Sequence, residues 1–139
     1  MSVLVDTGVL VAYQNPRDER HRRARELVEE IQGGAHGTAF TSDYVFDEAV
    51  SLAMARSGRQ DIVRAVGELV LPERASERWI GLLHVTQEEF FAAWASVKRH
   101  GNARLSFTDW TIVEMVKRRA IGAVVSFDSG LSPWVPTIS

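Results

Sequence analysis

Four acidic residues stand where the surrounding chain gives an acid little reason to be: Asp6, Glu48, Asp109 and Asp128. Asp6 follows the apolar run Val3-Leu4-Val5 and Asp128 follows Ala123–Phe127, so each puts a carboxylate at the carboxyl end of a strand of buried type. Asp109 precedes Ile112, Val113, Val116 and Ala120 by three, four, seven and eleven residues, which sets it on the centre of an apolar helical stripe. Glu48, with Val45 three residues before it and Leu52 four after, lies at the edge of its own helix's stripe. Each has an ordinary structural reading. Asp6 or Thr7 can cap a helix, Ser106-x-x-Asp109 has the spacing of a capping box, Glu48 can pair with an arginine, and Asp128 can sit in a turn. A shared reading is chemical. Four carboxylates on one rim repel, and a multivalent cation relieves that repulsion. Oxygen donors without Cys or His suit a hard cation, Mg²⁺ or Mn²⁺. Such a site activates water and neutralises charge in phosphodiester hydrolysis.

The elements that must position these acids follow from periodicity. Val3-Leu4-Val5 is a strand covered on both faces, as in parallel sheets. Gly8–Tyr13 forms a short helical turn closed by Gln14-Asn15-Pro16. Asp18–Gln32 is helical, with Ala24, Leu27, Val28 and Ile31 inward and Gly33-Gly34 as the stop. Thr38–Thr41 is a second strand. Helices over Asp43–Arg56 and from about Ile62 to Val70 make a hairpin about Gly58. Gly81–Thr86 reads as a third strand that includes His84, a hydrogen-bonded core histidine. Gln87–His100 is a helix with Phe90, Phe91, Trp94 and Val97 packed into the core. Ser106–Ala120 is the next helix, Gly122–Ser126 a fourth buried strand, and Trp134–Ile138 a short edge strand limited by Pro133 and Pro136. Strands alternating with helices give a parallel α/β sheet. In such a fold strand ends and following helix starts share one rim, which gathers the four acids.

Composition bounds the rest. The 139 residues read as one domain, with 45% hydrophobic and 24% charged residues, ordinary for a soluble globular chain. The absence of cysteine excludes a disulfide scaffold, a thiolate metal site and a cysteine nucleophile, and fits a reducing cytoplasm. No apolar run reaches the ~18 residues of a membrane span, and the N-terminus lacks a signal-peptide pattern. A net charge of −2 does not advertise nucleic-acid binding, so that role must rest on local charge. The arginine run Arg17–Arg25, together with Lys117, Arg118 and Arg119, offers it; its plain alternative is a solvated helix face.

The segments V-L-V-D-T-G-V-L at Val3–Leu10, F-D-E-A-V-S-L around Glu48, and L-S-F-T-D at Leu105–Asp109 with S-F-D at Ser126–Asp128 resemble the PIN-domain family. More narrowly they resemble the VapC-type toxin ribonucleases, in order and spacing that cover essentially the whole chain. The resemblance implies a three-layer fold with a central parallel sheet of order 3-2-1-4-5 flanked by helices, and divalent-metal-dependent cleavage of RNA. It implies an acidic quartet of Asp6, Glu48, Asp109 and Asp128, with Asp6 and Asp109 as direct metal ligands. Thr7 and Thr108 would hydrogen-bond beside them. It further implies a homodimer and a cognate antitoxin that occupies the active-site groove. One departure is Ser129-Gly130-Leu131 after Asp128, where many relatives carry a further polar residue or acid followed by phenylalanine.

Rival readings are a PIN-like module that binds RNA or protein without cutting and, remotely, an aspartic-protease-like dimer built on Asp6-Thr7-Gly8. The protease fold is all-β, against at least five helical patterns here. A haloacid-dehalogenase-like phosphatase would need a second aspartate at Gly8.

Overall fold

The computed structural model describes residues 1–139. Its centre is β1 (Ser2–Val5), whose Val3, Leu4 and Val5 are fully buried because neighbouring strands flank it and helices cover both faces. On one side β1 pairs in parallel with β2 (Thr38–Ser42), Val3 opposite Ala39, and β2 pairs with β3 (Gly81–Leu83). On the other side β1 pairs with β4 (Ala123–Val125), Val3 opposite Ala123, and β4 pairs with β5 (Thr137–Ile138). The order is 3-2-1-4-5 with every pairing parallel, as expected from the resemblance. The chain reverses its direction of travel across the sheet between β1 and β4, and open α/β sheets bind ligands at the carboxyl ends of such strands.

Six helices link the strands: α1 (Thr7–Gln14), α2 (His21–Gln32), α3 (Asp43–Ser57), α4 (Gln60–Val70), α5 (Gln87–Arg99) and α6 (Phe107–Arg118). Ala24, Leu27, Val28 and Ile31 of α2 face the core as their spacing requires. That helix begins at His21 rather than Asp18, because Asp18 Oδ1 accepts the Arg20 N–H at 2.8 Å and holds the chain in a turn. Ser42 caps α3 through the Val45 N–H, and Gly58 ends it with φ 61°, a left-handed conformation that suits glycine. No helix is long and apolar enough to cross a membrane. A parallel sheet flanked by helices also removes the aspartic-protease reading.

Two expectations fail around β3 and α5. The strand stops at Leu83 because Asp43 Oδ1 takes the Val85 N–H at 3.2 Å and Thr86 becomes the cap of α5. His84 is therefore not a core histidine: its ring is exposed and meets Asp43 at 3.3 Å. In α5 the buried stripe runs through Glu89 and Ala93 toward half-buried Val97, not through the large aromatics. Phe90, Phe91 and Trp94 are 39%, 59% and 50% exposed. The inward position goes to an acid because Arg119 neutralises it, with Nη2 and Nε donating to Glu89 at 2.7 and 2.9 Å. Phe90 turns sideways instead, its ring centroid 5.0 Å from Phe107 and 6.3 Å from Tyr44.

Candidate functional site

The four acids line a cleft of about 440 Å³ at the carboxyl edge of the sheet. Asp6 leaves the end of β1 and caps α1, its Oδ1 accepting the Thr7 N–H at 2.7 Å. Asp109 forms a reciprocal capping box with Ser106: Ser106 N donates to Asp109 Oδ2 at 2.9 Å and Asp109 N donates to Ser106 Oγ at 3.0 Å. Asp128 takes the Gly130 N–H at 2.8 Å in the turn after β4. The structural roles foreseen for these three aspartates are all present. They coexist with convergence on one cleft, since each capping carboxylate keeps free lone pairs. Glu48 differs: it caps nothing and no arginine or lysine pairs with it, although it sits half-buried on α3.

Electrostatics mark the cleft as strained. Burial is the main cause that pushes the Asp6 carboxyl up to about 6 from 3.8, with the charges of Asp109 and Glu48 adding to it. Hydrogen bonds from Ser126 and the Thr7 backbone partly offset the rise. Glu48 is raised by burial and then by the charges of Asp109 and Asp128, with the Thr108 and Thr7 hydroxyls nearby in opposition. Asp109 is raised by burial and by Asp128, against the Ser106 bonds. Thr7 Oγ1 is buried and makes no hydrogen bond of good geometry. No three acidic or imidazole groups stand close enough together to make a ready-made cation cage. The donors nevertheless suit a hard cation: four carboxylates, an orphaned hydroxyl, and mutual repulsion that a cation would remove.

Sequence reasoning passed over Ser126, Arg56 and Arg104, whereas Arg20 belongs to the expected run Arg17–Arg25. Ser126 donates its hydroxyl to Asp6 Oδ2 at 2.6 Å. Its signal was a polar residue directly after a buried strand, two positions before Asp128. Arg20, Arg56 and Arg104 line the cleft beside Asp18. Arg56 was legible, being eight residues beyond Glu48 with Leu52 between, two turns along one helix face. Arg56 pairs with Asp18 at 3.5 Å, and the Arg20 guanidinium lies 5.0 Å from the Phe127 ring centroid. Arg104 holds a left-handed φ of 58° and has no carboxylate partner.

Most of the other expected cations are elsewhere. Arg23 binds Glu26, Glu30 and the Ser139 carbonyl, and Arg22 and Arg25 lie on a separate exposed surface with Glu26 and Glu29. Arg119 is committed to Glu89 and the His84 carbonyl, and Arg118 to Glu114 at 3.1 Å. Lys117 lies 5.9 Å from the Trp134 ring centroid. Lys117 and Arg118 close α6 at the end away from Asp109, about 12–14 Å along the axis at 1.5 Å per residue.

The PIN domain family matches residues 3–132. The 23S rRNA-specific endonuclease VapC20 of Mycobacterium tuberculosis (strain ATCC 25618 / H37Rv) is 26% identical over 130 residues, which span 94% of this chain and 92% of that protein. The crystal structure of Mycobacterium tuberculosis VapC20, a sarcin-ricin loop cleaving toxin, superposes with a TM-score of 0.79 at 25% identity, over 94% of this chain and 93% of that one. VapBC2 from Rickettsia felis, bound to a DNA fragment from its promoter, superposes with a TM-score of 0.67 at 12% identity, over 99% and 98% of the two chains. FitAcB from Neisseria gonorrhoeae gives 0.66 at 16% identity, over 99% and 96%. With its parallel sheet in the order 3-2-1-4-5 and the family match running almost from end to end, this chain belongs to the PIN domain family.

Proposed function

We propose that the protein is a divalent-metal-dependent endoribonuclease, the toxin of a toxin–antitoxin pair, acting in the cytoplasm. The observation that carries this reading is the convergence of Asp6, Glu48, Asp109 and Asp128, from four separated segments, on one cleft where the protein supplies Glu48 with no cation partner. Asp6 and Asp109 would hold the metal, Mg²⁺ or Mn²⁺, with Glu48 and Asp128 orienting it or its waters. When bound, the metal polarises a water and neutralises charge on a phosphodiester. Asp6 must be ionised for this role, and the bonds from Ser126 and Thr7 favour that form against the cost of burial. The Thr108 hydroxyl beside Glu48 favours its charged state, and the Thr7 hydroxyl, left without a hydrogen bond of good geometry, lies close by. Arg20, Arg56 and Arg104 would receive the substrate's phosphates, which an acidic centre alone would repel.

The similarity to an endonuclease specific for 23S rRNA makes a structured rRNA hairpin the first substrate to try. The test is incubation of the purified protein with structured and unstructured RNAs in Mg²⁺, Mn²⁺ or EDTA, beside Asp109→Asn. EDTA-sensitive cuts lost in the variant are expected. Binding without cutting under every condition would favour a PIN-like module that only binds.

A cognate antitoxin and a second copy of this chain are the proposed protein partners. Support for the homodimer lies on α5, where exposed Phe91, Trp94 and Ala95 are flanked by Glu88 at one end and Lys98 and Arg99 at the other. An antiparallel crossing of two such helices sets Glu88 of each against Lys98 and Arg99 of the other, with the aromatics at the centre. That is the self-complementary pattern a two-fold interface needs.

A further inference from the structure

We infer that a second, smaller cleft beside the acidic one is a binding site for the RNA backbone, so that the strand runs on from the cutting centre over Arg56; this rests on the ribonuclease reading. The cleft holds about 200 Å³ and is lined by Asn15, Arg17, Arg56, Ser57, Arg59 and Ile62 among others. Arg56 also lines the acidic cleft, so the two share a wall. Three guanidinium groups on so small a concavity are unusual in a chain whose net charge is −2.

Their present partners are weak competitors. Arg59 forks onto Asp61 at 3.1 and 2.6 Å, but both side chains are more than half exposed. Arg56 meets Asp18 at 3.5 Å with its own side chain 52% exposed. Exposed pairs of this kind are worth little and yield readily to a better anion. Arg17 meets no carboxylate; its backbone N–H donates to Asn15 Oδ1 at 3.1 Å, which fixes the turn that presents it. Three arginines against Asp18 and Asp61 leave a net positive groove, and planar guanidinium donors match phosphate oxygens two at a time. A polymer cut at the acidic centre must continue past it on one side, and a positively charged groove that tracks the backbone is how single strands are held.

Anisotropy of a labelled single-stranded RNA of about a dozen nucleotides, in EDTA over a salt series, tests this with wild type, R17A/R59A and the charge-matched control R74A/R78A. All four arginines are exposed, so both variants should fold, and thermal melts check it. R17A/R59A should raise Kd roughly tenfold and flatten the log–log salt slope by about two, whereas the control moves Kd less than twofold. Equal weakening by both pairs would mean net charge alone acts, and would overturn the site. So would unchanged RNA affinity in R17A/R59A, including the case where it loses binding to poly-glutamate instead, which would assign the groove to an acidic protein. Wild type that neither binds nor cuts RNA removes the ribonuclease reading and this one together. Wild type that cuts while R17A/R59A binds normally removes only this one.

Discussion

The hydroxyl of Ser126 donates to Asp6 Oδ2 at 2.6 Å across 120 residues of chain, while Ser126 Oγ itself accepts the Asp128 N–H at 2.9 Å. One small side chain thus links the acids that follow β1 and β4. Its bond favours ionised Asp6, whose carboxyl burial otherwise pushes upward. Ser126→Ala should move Asp6 above its value of about 6, by about one to two pH units, since a hydrogen bond to a charged group is worth ~1.5–3 kcal/mol. At limiting Mg²⁺, where a proton competes with the metal for Asp6, the acid limb of the pH–rate profile for RNA cleavage should shift upward. Superimposable profiles would show that Asp6 ionisation does not limit the reaction.

The raised carboxyl of Asp6 also sets how metal-free stability depends on pH. Between about 6 and 3.8 the folded protein holds a proton on Asp6 that the unfolded chain has released. Stability from this group is therefore full below about 3.8 and lost as pH rises through about 6. Across that window it changes by up to ~3 kcal/mol, and raised Glu48 and Asp109 act in the same direction. Denaturant titrations in EDTA should find wild type more stable at pH 5 than at pH 7.5, with the difference reduced in Asp6→Asn. A protein whose EDTA stability instead rises steadily from pH 5 to 7.5 would contradict the strained site.

Glu48→Gln isolates the repulsion from the capping roles, because Glu48 caps nothing and pairs with no cation. In EDTA its melting temperature should equal or exceed that of wild type, by up to ~1 kcal/mol of stability. Asp109→Asn should behave similarly, since an amide oxygen can still accept the Ser106 N–H. Added Mg²⁺ should stabilise wild type more than either variant, as binding to the native state alone requires. Both variants melting well below wild type in EDTA, with no Mg²⁺ shift in any of the three, would reduce these acids to structural parts.

Arg119 carries a structural burden rather than a substrate-binding one. Glu89, 2% exposed, depends on it for neutralisation, which holds the Glu89 carboxyl down to about 2. Arg119→Ala leaves that charge buried and unpaired and should cost ~3 kcal/mol. Adding Glu89→Gln should recover part of the loss in urea melts. RNA affinity at a temperature where the variant is folded should stay at the wild-type value. A stable Arg119→Ala with weakened RNA binding would restore the substrate-contact role.

The exposed aromatics of α5 give a test of self-association. If wild type sediments as the proposed dimer, Phe91→Glu, which places a charge at the centre of the proposed two-fold crossing, should sediment as a monomer in analytical ultracentrifugation. The position is 59% exposed, so the monomer should keep its fold. An unchanged sedimentation coefficient in the variant would move the interface elsewhere.

The amino-acid sequence by itself determined the α/β class, the inward stripe of α2 and the four acids out of pattern with their own elements. All of these rest on short-range periodicity, which one stretch of chain carries whole. It also held the alternatives for Asp6 and Asp109: the capping bonds are present, and they leave room for the proposed site, because a capping carboxylate spends only part of its lone-pair capacity. The tertiary structure alone decided what depends on partners far along the chain. Glu89 could take the inward stripe of α5 only because Arg119 arrives from thirty residues away, and that turned Phe90, Phe91 and Trp94 outward. His84 left the core because Asp43 captured the strand's next N–H. Arg20, Arg56 and Arg104 became the cations of the cleft, in place of most of the arginine run, because charge in sequence says nothing of direction until the sheet fixes which ends meet. Ser126 and Asp6 met for the same reason: parallel pairing of β1 with β4 sets Val5 against Val125, and the next residue of each strand then shares a hydrogen bond.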